Sequence, residues 1–270
     1  MTYESVEESV FNAQPIELYE FFISPKFWRH TSADEDKTFQ SNTFTAIPIR
    51  RTKIEQNPDP ARNPISINVS KTMEFARKFR ASPPDGVVTL KIFRKHESDA
   101  GFVTAWIGRV VNVSFKNDEA IISGESILTA VKRIALRRTY QKACPYVLYG
   151  SGCNLSKASF QVNATLSGVS GATLISSTFG TFTNGHFTGG FVEWSDTEGV
   201  LNTRFIISHT GNNIVVESPF ISIPANANVA AFPGCDRQLT TCINKFSNEV
   251  NYGGFPYIPE KNPFDTNPIW

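Results

Sequence analysis

Four cysteines have the clearest chemical potential in this 270-residue sequence. Cys144 and Cys153 have eight residues between them, and Cys235 and Cys242 have six. Neither pair has the C-x-x-C spacing of a zinc ribbon or a bacterial ferredoxin. Glycines beside the thiols would let backbone N–H groups approach a bulky inorganic core. Three interpretations stay open: a metal or cluster site of four thiolates, buried free thiols, or the disulfides Cys144–Cys153 and Cys235–Cys242.

Composition limits the classes of protein that fit. Lys and Arg total 26 and Asp and Glu total 25, a net charge of +1 that indicates no direct nucleic-acid binding. A hydrophobic fraction of 40% with 22 Phe indicates a folded chain. No apolar run reaches the ~18 residues of a transmembrane segment, and Glu4, Glu7 and Glu8 occupy the place of a basic export signal. We therefore expect a soluble protein made in the cytoplasm, where reduced thiols favour metal binding.

The elements that position the thiols are predicted to be mainly strands. The first half has its clearest strand patterns at Val87–Phe93 and Phe102–Phe115, joined by a polar hairpin connection. Apolar residues at helical spacing predict two helices, at Ser70–Arg80 and Ser126–Arg138. Three prolines make Gln56–Pro64 a loop.

The second half has the pattern of an antiparallel β domain. Apolar and polar residues alternate over Ala158–Leu166 and Thr203–His209, and Gly211-Asn212-Asn213 suits a tight hairpin before the next strand. We place a boundary near residue 140, giving domains 1–140 and 141–270, the second with an extended C-terminal tail. Four thiolates on one centre would then tie the entry of the β domain to its exit.

Several strings resemble the tail-tip proteins of long-tailed phages, a family that includes the lambda-type tail-tip protein L and the distal hub protein of gene transfer agents. The closing signature is the most specific part, and the first cysteine loop and the β-domain pattern are also similar. The matching strings are Gly234-Cys235-Asp236-Arg237, Thr241-Cys242, Asn251-Tyr252-Gly253-Gly254-Phe255-Pro256-Tyr257-Ile258-Pro259 and Cys144-Pro145-Tyr146-Val147-Leu148-Tyr149-Gly150.

This resemblance implies a mainly β (β-rich α+β) structural virion protein. Its N-terminal hub domain would have barrel- or tube-like sheets with two helices, and its antiparallel β domain would be closed by the cysteine site. The protein would be assembled in the host cytoplasm into the virion tail tip. There it would be the distal hub of the baseplate, a homotrimeric ring between the tail tube or distal tail protein and the central-fibre or receptor-binding protein.

The resemblance also implies an iron–sulfur cluster of the four-iron type (4Fe-4S). The four cysteines of the family map one to one onto this sequence, so the implied ligands are Cys144, Cys153, Cys235 and Cys242. Zinc on the same four thiols is the alternative metal. A redox carrier that uses the cluster for electron transfer is a further hypothesis.

Other residues point to simpler roles. No G-x-S-x-G, H-E-x-x-H or phosphate-binding glycine loop occurs, so we predict no enzyme. Glu193 and Asp196 flank Trp194, and we predict that they lie in a solvated turn. His209 is predicted to be a hydrogen-bonded turn residue. The tail at Phe255–Pro259 would dock on a neighbouring subunit or pack over its own cysteine loop. The alternative function is a β-sandwich module that binds a carbohydrate or receptor, with a four-cysteine zinc site or disulfides.

Overall fold

The computed structural model describes residues 15–54, 63–81, 84–96, 101–132, 139–220 and 223–259. They divide into two compact units. The first falls within Met1–Arg133 and Ser195–Leu201, and the second within Ile134–Trp194 and Asn202–Trp270. Each unit contains one large sheet and one α-helix, so the chain is mainly β, as predicted. Neither α-helix among these residues has the length and apolar character that a membrane span requires.

A nine-stranded sheet forms the first unit. Its strands are β1 (Pro15–Ile23), β2 (Lys26–Thr31), β3 (Lys37–Phe39), β4 (Asn42–Ala46), β5 (Ile49–Arg51), β6 (Ile65–Ser70), β7 (Thr89–His96), β8 (Val103–Lys116) and β9 (Glu119–Ser126). Their order is β3-β4-β2-β1-β7-β8-β9-β6-β5. The strands predicted at Val87–Phe93 and Phe102–Phe115 are confirmed as the antiparallel pair β7 and β8. The predicted loop at Gln56–Pro64 lies mostly outside the described residues.

The sheet of the first unit is open but curled. The strand order ends at β3 and β5, so the described strands do not form a closed barrel. A barrel was one of the two forms predicted for the sheets of this half. Curling nevertheless brings β5 towards β1, which lies five positions away in the strand order. Arg51 of β5 donates from Nε to the carboxylate of Glu17 in β1 at 2.8 Å. The contact between β5 and β1 is therefore made by side chains.

Apolar side chains on one face of this sheet form the core of the first unit. Helix α1 (Glu74–Ala81) covers them, confirming the helix predicted at Ser70–Arg80. The ring of Phe75 stacks on Phe21 at 4.3 Å and packs against Trp28 at 5.3 Å. Phe75 and Phe21 are fully buried, so both rings contribute to the apolar free energy that stabilises this unit.

The second predicted helix, Ser126–Arg138, is wrong over its described part. Ile127–Lys132 is a 3-10 helix that follows β9 directly, and residues 133–138 lie outside the described residues. Ile127 and Leu128 are exposed by 61% and 43%, so these two side chains contribute no buried apolar surface that would stabilise an α-helix. Three β-branched residues within six positions also lower the helix propensity.

A seven-stranded sheet forms the second unit, in the order β10-β16-β13-β14-β15-β12-β11. Its strands are β10 (Val162–Thr165), β11 (Gly168–Ser170), β12 (Thr173–Ile175), β13 (Phe191–Ser195), β14 (Leu201–Thr210), β15 (Asn213–Val216) and β16 (Asn228–Phe232). The predicted hairpin is confirmed, because β14 pairs antiparallel with β15 around Gly211, whose φ is +54°.

The strand predicted at Ala158–Leu166 is only partly correct. Lys157–Phe160 is a 3-10 helix, and the strand begins at Val162. Phe160 leaves the alternating pattern because its ring packs against Tyr149 and Phe246, at 6.1 and 5.3 Å. These aromatic contacts join the start of the sheet to the two cysteine segments.

Candidate metal centre

The four cysteine side chains line one cavity of about 220 Å³ in the second unit. Cys242 is buried, the other three are half-buried, and all four are free thiols. Leu148, Leu155 and Phe246 contribute apolar walls. The structure therefore brings together two cysteine pairs that about eighty residues separate in the sequence.

The cavity that the four thiols line is large enough to hold a bound group. Within the described part of the chain, no group of three or more His, Cys, Asp or Glu side chains is placed to hold one metal ion. Zn–S bonds of about 2.3 Å put four thiolates roughly 3.8 Å apart around zinc. A water molecule needs only ~10–15 Å³ of such space, so the cavity has room for a larger group.

The first cysteine loop is shaped by the packing of Tyr146. A Cβ atom at Gly152 or at Gly253 would lie 2.4 Å from the Tyr146 ring, so both positions require glycine. The loop turns where Gly150 N donates to Val147 O at 3.0 Å. The prediction that glycines here make room for an inorganic core is therefore wrong for Gly152, which makes room for an aromatic ring.

The loop before Cys235 is held against its own backbone. A Cβ atom at Gly234 would lie 1.9 Å from Thr188 O, so no larger residue fits without a backbone shift. Lys245 Nζ donates to His186 O at 2.5 Å and to Gly234 O at 2.7 Å. These contacts fix the position of the Cys235 backbone from one side of the site.

Helix α2 (Leu239–Phe246), which carries Cys242, was not predicted from the sequence. Its β-branched residues weaken helix propensity, but Asp236 accepts hydrogen bonds from Gln238 N at 2.9 Å and Thr241 Oγ1 at 2.8 Å. Ser247 ends the helix in the left-handed conformation. In the sequence, the position of Asp236 shortly before Thr241 is the feature that could have predicted the start of this helix.

A backbone hydrogen bond joins the two cysteine segments. Cys144 N donates to Arg237 O at 2.9 Å, and Tyr252 Oη donates to Lys142 O at 2.6 Å and to Arg237 O at 3.2 Å. Arg237 N also donates to Cys235 Sγ at 3.3 Å. Arg237, two residues after the third cysteine, thus positions the first cysteine and contacts a sulfur atom.

The environment keeps two of the thiols protonated. Burial, and secondarily the neighbouring cysteines, raise the pKa of Cys242 to about 11. Burial is also the largest cause of the raised pKa of Cys235, opposed by the hydrogen bond from Arg237 N. Without a cationic group these sulfurs are neutral thiols, so binding of a metal core requires release of their protons.

His186 predicts a pH dependence for the stability of this unit. Burial, then the charges of Lys245 and His209, lower the pKa of His186 from 6.5 to about 4. The unfolded chain therefore takes up a proton as pH falls below 6.5, whereas the folded chain does so only near pH 4. We expect the urea midpoint to fall between pH 6.5 and 4.5, and to fall less in His186→Gln. The same pH dependence in both proteins would contradict this prediction.

The other singled-out residues have structural contacts. His209 Nε2 lies 3.1 Å from both Phe179 O and Gly211 O, confirming its role as a hydrogen-bonded residue. Glu193 pairs with Lys157 Nζ at 2.5 Å, and Asp196 with Lys78 Nζ at 3.3 Å. Each carboxylate is thus engaged by a lysine, and the solvated turn predicted here is wrong for Glu193, which lies in strand β13 with its side chain only 14% exposed.

The C-terminal tail is described as far as Pro259. Phe255 packs back on the segment that leads to Cys144, because its N–H donates to Gln141 O at 2.9 Å and its ring lies 4.2 Å from Tyr140. Tyr257, two residues later, is 91% exposed. The described tail therefore begins on its own cysteine loop and then presents an aromatic side chain to the outside.

Comparison with known proteins relates both halves of the chain to phage families. Residues 24–156 match the family described as baseplate hub protein, N-terminal attachment domain, and residues 185–262 match phage conserved hypothetical protein BR0599. A chain in the solved virion of a native gene transfer agent (GTA) particle has the same fold, with a TM-score of 0.80 at 18% identity over 99% of this chain and 96% of that chain. No curated protein matches significantly. Models of two phage families thus match more than three quarters of the sequence between them, and the chain is similar to baseplate hub proteins over its N-terminal part.

Proposed function

We propose that this protein is the distal hub of a tail tip, clamped by a 4Fe-4S cluster on Cys144, Cys153, Cys235 and Cys242. The observation that carries the proposal is the convergence of these four thiols on one cavity. It occurs in a chain whose fold matches a component of a gene transfer agent virion over nearly its full length. In this role the protein is a structural part of the particle and needs no enzymatic activity.

The donor set fits an iron–sulfur core. Thiolates are the usual ligands of such clusters, and N–H groups directed at sulfur stabilise them. Arg237 N supplies such a group to Cys235 Sγ. Apolar walls around the thiols limit access of water, and the cavity of about 220 Å³ has room for a group larger than one ion. When bound, the core would supply a covalent link between distant parts of the chain.

A link at this position would have a mechanical role. The cavity is lined from residues 144–155 and from residues 235–252, the segments on either side of the β-sheet in the sequence. The free energy of binding to a site that the unfolded chain lacks is added to the stability of the folded unit. A tail tip that must survive attachment to a cell gains from such a crosslink.

Exposed apolar side chains support contacts with other subunits. Val147, Ile207, Val250 and Tyr257 of the second unit are exposed by 72%, 53%, 91% and 91%. Side chains of this kind are enriched in protein interfaces. We propose that they contribute to a homotrimeric ring between the tail tube or distal tail protein and the central-fibre protein, where a closed ring buries each contact.

The test is metal analysis of protein purified without oxygen, combined with localisation in the particle. We expect about four iron and four sulfide ions per chain with broad visible absorption, and electron microscopy of a tagged chain should show the label at the tail tip. One zinc per chain without sulfide would refute the cluster. A label along the tail tube would refute the position of the hub.

A further inference from the structure

Asn248 lies where the two cysteine segments meet. Its side chain is buried, and its Nδ2 donates to Cys153 O at 2.7 Å across 95 positions of sequence. The same nitrogen lies 3.7 Å from Cys153 Sγ. The Asn248 backbone contacts the other segment, because its N–H donates to Cys242 O at 3.1 Å and its carbonyl accepts from Cys242 Sγ at 3.2 Å.

The orientation of the Asn248 amide follows from its partners. A backbone carbonyl only accepts hydrogen bonds, so the atom that faces Cys153 O must be the amide nitrogen. The amide oxygen then faces Asn251, whose Nδ2 donates to it at 2.7 Å. Ser247, in the left-handed conformation after helix α2, turns the chain so that Asn248 reaches Cys153.

We propose that Asn248 is a positioning residue of the four-cysteine centre, which sets Cys153 relative to Cys242 and directs an N–H group at Cys153 Sγ. This inference rests on the proposed function and deepens it. Groups that hydrogen-bond to ligands orient them, and N–H donors to sulfur raise the reduction potential of a cluster by reducing negative charge on the sulfur. Lys245 has a different role from Asn248, because it donates to the carbonyls of His186 and Gly234 and holds the loop before Cys235.

The test replaces the amide with a group of the same shape that cannot donate. Asn248→Asp keeps an oxygen for Asn251 but places a carboxylate against Cys153 O and Sγ. Its control is Asn163→Asp, on an exposed position of β10 where Gln161 Nε2 donates to Asn163 Oδ1 at 2.7 Å and can still donate to a carboxylate. In the loaded proteins, we measure the reduction potential and the rate of iron loss to a chelator.

We expect Asn248→Asp to have a more negative potential than wild type and to lose iron about 10–100-fold faster. The Asn163→Asp control should match wild type in both measurements. If Asn248→Asp affected packing alone, iron loss would be faster but the reduction potential would not become more negative. Wild-type values of both quantities in loaded Asn248→Asp would overturn the inference.

Hydrogen exchange in metal-free, reduced protein separates failure of this inference from failure of the proposed function. Loss of the bond to Cys153 O should increase exchange about 10-fold in peptides that cover residues 147–154 in Asn248→Asp, and leave the control unchanged. Unchanged exchange in that variant would overturn the positioning role even if wild type binds a cluster. If wild type binds no iron and sulfide, the proposed function fails, while the exchange result still decides whether Asn248 positions Cys153.

Discussion

Replacing Cys242 by serine is expected to abolish retention of the proposed iron–sulfur core and to lower the melting temperature of the loaded protein to that of the metal-free form. Cys242 is buried on helix α2, and its thiol donates to Asn248 O. A serine hydroxyl can make the same hydrogen bond, so the metal-free variant should unfold within about 1 kcal/mol of metal-free wild type. The measurement is iron and sulfide content with calorimetry on loaded and stripped proteins.

The matched control for this prediction is Ile243→Ser on the same helix. Ile243 is 38% exposed and does not line the cavity. This variant should bind iron and sulfide as wild type does. Full iron content in Cys242→Ser, or equal iron loss in Ile243→Ser, would show that Cys242 is not a specific ligand.

Glu17→Ala is expected to destabilise the first unit by about 3–5 kcal/mol, because it leaves a cation without its partner in a poorly solvated position. The Arg51 side chain, only 12% exposed, donates to the Glu17 carboxylate from both Nε and Nη2. Tyr19 Oη donates to the same carboxylate at 2.6 Å, and Arg94 Nε lies 3.6 Å away. Burial, and next the charge of Glu17, raise the pKa of Tyr19, so this phenol stays a donor.

Urea unfolding of the first unit, followed by tryptophan fluorescence from Trp28 and Trp106, measures this effect. The control is Asp118→Ala, which removes an ion pair with Lys71. The side chain of Asp118 is 89% exposed. Water already solvates that carboxylate, so we expect no measurable change in the unfolding midpoint. Equal midpoints for Glu17→Ala and Asp118→Ala would show that the buried network does not hold the curled sheet.

The sequence was informative where the signal is local. Enrichment in Val, Ile and aromatic residues predicted β7 and β8, and alternation of apolar and polar residues predicted β14, with β15 after the turn. The left-handed preference at Gly211 determined the hairpin between the last two. These features were predictable because backbone geometry and the side of a sheet depend on neighbours within a few residues.

Packing overrode the local signal in several places. Residues 127–132 do not form the predicted α-helix, and the side chains of Ile127 and Leu128 are exposed, whereas the weak helix former Leu239–Phe246 is an α-helix. Gly152 proved to accommodate the Tyr146 ring. The Tyr146 ring also packs against Gly253, about a hundred positions away, and such a partner cannot be inferred from spacing.

By itself, the sequence determined that the chain is mainly β, that it carries four cysteines in two pairs, and that its closing residues resemble those of tail-tip proteins. Only the tertiary structure decided that the four thiols share one cavity, that Asn248 joins their two segments, and that Glu17 and Arg51 meet across a curled sheet. The physical reason is that the side-chain periodicity of a strand or helix depends on neighbouring residues in the sequence. These sites, in contrast, form when buried surfaces bring together residues tens of positions apart.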